Sequence, residues 1–149
     1  MIKRKEFEKL FQPYIEQGKQ IWVITRVKEL SQEIITMALN LASLDFINYV
    51  QICDETLMAS NINCPNRPKV PFVNELYSDV NGIHLLYSDI DKGIDFWSIA
   101  SSDENHYEAM VETVLTDFPN EWTPCIMMVW GDEYWEKKME KYDQFEWMY

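Results

Sequence analysis

The side chains best able to act as nucleophile, base or metal ligand in this 149-residue chain are three cysteines, Cys53, Cys64 and Cys125, and two histidines, His84 and His106. A thiol beside an imidazole is the arrangement of a cysteine nucleophile, but it works only where the surroundings stabilise a thiolate. No spacing among these five residues marks such a pair. The cysteines are odd in number and far apart, whereas disulfide frameworks use even sets and zinc sites favour close pairs such as C-x-x-C. Three reduced, partly buried thiols are the expectation.

Two acidic patterns invite metal chemistry. Asp89, Asp91 and Asp95 alternate around Gly93 in the manner of a calcium loop, yet the twelfth position, where a bidentate glutamate closes such a loop, is Ala100. A strand with a turn accounts for the same residues. Asp103, Glu104 and His106 stand close enough on a helix to share a metal or a proton, but di-metal carboxylate sites need a second Glu-x-x-His and the chain has none. Also missing are G-x-G-x-x-G, a P-loop, H-E-x-x-H and G-x-S-x-G. No catalytic residue, metal ligand or cofactor is therefore expected. An enzyme built from scattered residues around His84, His106 and the central acids stands as a third alternative, behind two binding functions.

Charge is the stronger signal. The formal net charge is −12, and residues 70–136 carry fourteen acids against one base, Lys92. Residues 1–30 carry seven bases and four acids. Phosphate recognition needs clustered Lys and Arg, so nucleic acid is not an expected ligand. A surface of this sign steers and selects a basic protein partner. The expected partner surface comprises Glu75, Asp79, Asp89, Asp91, Asp95, Asp103, Glu104, Glu108 and Glu112, with Trp122 as a partly exposed aromatic anchor among acids. Trp147 is expected to be partly exposed in the same way, and the equal alternative is that the C-terminal aromatics tuck the tail onto the domain.

The elements that must position these groups follow from periodicity. Length and an apolar fraction of 47% suit one α+β domain over residues 1–149. Phe7, Leu10, Phe11, Tyr14 and Ile15 have helical spacing, Pro13 kinks or divides that helix, and Gly18 ends it. Residues 20–27 are rich in β-branched and aromatic types and predict a strand. Ser31 caps a second helix carrying Ile34, Met37, Ala38 and Leu41. Phe46–Ile52 fits helix and strand about equally, with the balance towards helix. Residues 61–71, with Pro65, Pro68 and Pro71, form a loop.

Asn81-Gly82 is a two-residue hairpin signal, and Asp91-Lys92-Gly93 suits a three-residue loop with glycine left-handed, so a three-stranded antiparallel meander is expected over about 72–101. A helix over 103–118 carries Tyr107, Met110, Val111, Val114 and Phe118 inward, with Glu104, Glu108 and Glu112 in a row beside them. Residues 124–130 predict a buried strand, and a last helix is expected near 132–143. No apolar stretch follows the basic start and no apolar run is long enough to span a bilayer, so a cytoplasmic protein without a membrane partner is expected.

In size, acidity and lack of catalytic motifs the chain resembles the small acidic immunity proteins of bacterial toxin systems, which neutralise basic nucleases or other toxins by covering their active sites. That resemblance implies an intracellular immunity-type inhibitor of a basic toxin or effector. The alternative of another kind is a DNA mimic that occupies the nucleic-acid groove of a defence or restriction protein, which requires carboxylates spaced like duplex phosphates.

Overall fold

The computed structural model describes residues 2–26, 29–61, 81–101, 104–116, 121–127 and 146–148. Helix α1 (Arg4–Glu16) runs unbroken through Pro13. Lys9, whose carbonyl the proline cannot bond, is exposed to water along with Pro13 itself. The helix ends as its glycine requires. Gly18 adopts φ 92°, its N–H bonds the Ile15 carbonyl at 3.0 Å, and the Lys19 N–H bonds that of Tyr14 at 3.1 Å. This left-handed cap satisfies two carbonyls that the helix end would otherwise orphan.

A short ribbon pairs β1 (Ile2–Lys3) with β3 (Glu29–Leu30). Between them lies β2 (Gln20–Ile24), and after them α2 (Gln32–Ala42), whose Ile34 N–H donates to Ser31 Oγ at 3.4 Å as the capping serine predicts. The other end of α2 is closed from a distance. Lys19 Nζ donates to the carbonyls of Ala42 (2.5 Å) and Leu44 (2.9 Å), placing a cation against the negative end of the helix. Burial lowers the Lys19 pKa, and Asp45 pulls it the other way.

The chain then forms β4 (Tyr49–Cys53), β5 (Thr56–Ser60), β6 (Gly82–Ser88), β7 (Gly93–Ala100), α3 (Glu104–Thr116), β8 (Thr123–Met127) and β9 (Glu146–Met148). Seven strands make one mixed sheet in the order β2-β4-β5-β6-β7-β8-β9. The run β4 to β7 is antiparallel, while β2–α2–β4 and β7–α3–β8 are parallel crossovers through a helix. Phe7 and Phe11 of α1, Ile34, Met37, Ala38 and Leu41 of α2, and Met110, Val111 and Val114 of α3 share one core with alternate strand residues: Val50, Ile52, Leu57, Ala59, Ile83, Leu85, Ile94 and Phe96. The three described helices therefore cover one face of the sheet, an α+β architecture. None of the described helices is long and apolar enough to cross a membrane.

Several expectations need correction. Phe46–Ile52 leads into strand β4, not a helix. β4 is an interior strand, hydrogen-bonded on both sides and buried on both faces, so it lacks the alternation that marks a half-exposed strand. The neighbour of β6 on its other side is β5, and residues 72–80, expected to supply the first meander strand, lie outside the described residues. Asn81-Gly82 is no tight turn. Gly82 sits inside the sheet opposite both Ser60 and Ala100, and neither residue has positive φ. The β6–β7 loop is four residues, 89–92, and the left-handed position is Lys92 (φ 54°), one before the glycine. The helix expected near 132–143 lies outside the described residues.

Candidate functional site: an acidic rim

Strand direction decides where the acids meet. The carboxyl ends of β2, β4 and β6 and the amino ends of β5, β7 and β8 all lie at one end of the sheet. The β4–β5 turn brings Asp54 and Glu55 there, the β6–β7 loop brings Asp89 and Asp91, β7 brings Asp95, and the approach to β8 brings Glu121. Arg26 and Lys92 are the only cations on these segments among the described residues.

The rim is stitched together rather than merely adjacent. The Asp54 carboxylate accepts from Thr25 Oγ1 and from the Arg26 N–H (3.1 Å), which ties the β4–β5 turn to the end of β2. The Tyr87 N–H donates to the Glu55 carbonyl at 2.9 Å, and its phenol donates to the Cys53 carbonyl. The Asp91 N–H bonds Ser88 Oγ at 3.1 Å, and the Thr123 N–H bonds the Lys92 carbonyl at 2.8 Å, so the β6–β7 loop holds the start of β8. The Tyr87 phenol reports the resulting field. Burial raises its pKa first, then the charges of Asp89 and Asp54, with Cys53 and Glu55 adding to them.

Between the β6–β7 loop and β8 lies an open cleft of about 310 Å³. Leu86, Tyr87 and Gly93 form part of its wall, with Asp91, Asp95, Ser88, Thr123 and Cys125. The carboxylates of Asp91 and Asp95 and the hydroxyls of Ser88 and Thr123 on this concave patch are of the kind that accept hydrogen bonds from ammonium or guanidinium groups.

The expected surface is only partly gathered here. Asp89, Asp91 and Asp95 belong to the rim. Glu108 and Glu112 stand half-buried on α3 and are engaged in contacts within the protein, so they are not a free acidic row. Glu104 opens α3, while Glu75, Asp79 and Asp103 lie outside the described residues. Trp122, expected to be partly exposed, is 1% exposed and packs in the main core, with Lys92 Nζ over its ring, 5.4 Å from the centroid. Its polar neighbours in sequence, Asn120 and Glu121, suggested a surface site, but a large apolar ring at the entry to a strand is placed by the core beneath it. Asp54 and Glu55 were missing from the expected surface, because a β4–β5 turn is invisible while residues 46–52 are taken as helix.

The other candidate chemistry does not assemble among the described residues. Cys53 Sγ accepts from Gln51 Nε2 at 3.5 Å, Cys125 Sγ lies 3.8 Å from the Thr123 carbonyl, and no hydrogen bond joins either thiol to an imidazole. Three strands separate Cys53 from Cys125. His106 stacks on Phe46 with centroids 4.0 Å apart. His84 is buried on the sheet face opposite the helices, between Met58 and Ser98 in register, and neither ring nitrogen has a partner among the described residues. Burial there lowers its pKa. Among the described residues no three His, Cys, Asp or Glu side chains converge to hold a metal ion.

No known family model matches the chain, and no curated protein or solved structure is significantly similar to it.

Proposed function

We propose that this protein is an acidic binding module that recognises a basic partner protein through the rim at the carboxyl ends of β2, β4 and β6, acting as an immunity-type inhibitor that covers a basic toxin or effector. The observation that carries this reading is the convergence of Asp54, Glu55, Asp89, Asp91, Asp95 and Glu121, from four separate segments, on one hydrogen-bonded edge. Carboxylates gathered at one end of the sheet carry like charge, and a partner rich in Lys and Arg offsets that charge on docking. Long-range steering of this kind raises association rates 10-fold or more at low salt and fades within a Debye length of about 8 Å at physiological ionic strength.

The test is capture from a nuclease-treated lysate of the source cell, eluted with a salt gradient, comparing the wild type with the triple variant Asp89→Lys, Asp91→Lys, Asp95→Lys. A stoichiometric basic protein held by the wild type, released at raised salt and lost by the triple variant is the expected result. Equal retention by both proteins places the interface elsewhere. If the wild type retains nothing at low salt, the acidic end of the sheet serves solvation alone. Charge reversal of Glu104, Glu108 and Glu112 is the companion variant, and a smaller loss from it than from the rim triple is expected.

A further inference from the structure

We draw no further inference here: the strongest candidate, the cleft of about 310 Å³ between the β6–β7 loop and β8 that Asp91, Asp95 and Cys125 line, belongs to the acidic rim already described, and none of its lining residues has a buried polar atom without a partner that would specify a ligand.

Discussion

Replacing His84 with leucine should make the protein more stable and remove part of its sensitivity to mild acid. The imidazole is 4% exposed on central strand β6, with Met58 across the strand pair and Gly82 and Leu86 along it, and both its nitrogens are buried without a partner among the described residues. A neutral imidazole carries one donor and one acceptor, and a buried polar group left unpaired costs about 1–3 kcal/mol. Leucine has similar bulk and no polar atom, and an imperfect fit returns less than about 1.5 kcal/mol. Subtracting that misfit leaves a net gain of up to about 3 kcal/mol at pH 7.5, with a rise in Tm of about 3 °C per kcal/mol for a chain of this length. The pH dependence has a definite sign. Burial holds the folded-state pKa below the ordinary histidine value of about 6.5, so as pH falls the unfolded chain takes up a proton that the folded chain refuses. Stability is whole above about pH 6.5 and is lost below it towards the lowered value, at most about 1.4 kcal/mol per pH unit. Urea unfolding of both proteins at pH 7.5 and 5.5 isolates this group, because every other titrating residue is common to the two. Equal losses between the two pH values, or a variant less stable than the wild type at pH 7.5, would refute the argument and show that the ring has a partner or reaches water.

Tyr87→Phe should cost about 1 kcal/mol at neutral pH by leaving the Cys53 carbonyl without its phenol donor. The same variant should lose less stability than the wild type as pH rises beyond about 10, because the unfolded phenol ionises there while the folded one is held protonated; urea titrations at pH 8 and pH 10.5 measure both effects. Trp122→Ala should destabilise by about 3–5 kcal/mol, as deletion of a large core ring does, and a loss under 1 kcal/mol in chemical denaturation would return that residue to the surface. Lys19→Met should cost about 1–2 kcal/mol through the Ala42 and Leu44 carbonyls it abandons at the end of α2, with thermal melting by circular dichroism as the measure, and Lys19→Arg should recover part of it.

The helices were the legible part of this fold. Phe7 and Phe11, then Ile34, Met37, Ala38 and Leu41, then Met110, Val111 and Val114 mark three apolar stripes whose period needs only the chain itself. Ser31 and Gly18 mark ends for the same reason, since a cap is a local hydrogen bond or a local dihedral. The sheet was less legible. β4 carries Tyr49, Val50, Gln51 and Ile52 all buried, and such a run says nothing about its period. Gly82 looks like a turn residue beside Asn81 and is a strand residue, because pairing with β5 and β7 outweighs a two-residue propensity.

The sequence by itself determined the sign and size of the charge, the absence of G-x-G-x-x-G, P-loop, H-E-x-x-H and G-x-S-x-G motifs, and the α+β composition, all of which depend on residue types and short-range spacing. Tertiary structure alone decided which acids stand together. Asp54 and Asp89 are 35 residues apart in the chain, and they share an edge because β4 and β6 both run antiparallel to β5 and so end on the same side. It also decided that Trp122, beside a glutamate in sequence, lies in the core, and that His84 is buried without a partner among the described residues. Strand pairing and packing are long-range contacts, and no local pattern of residues encodes which end of a sheet a turn will reach.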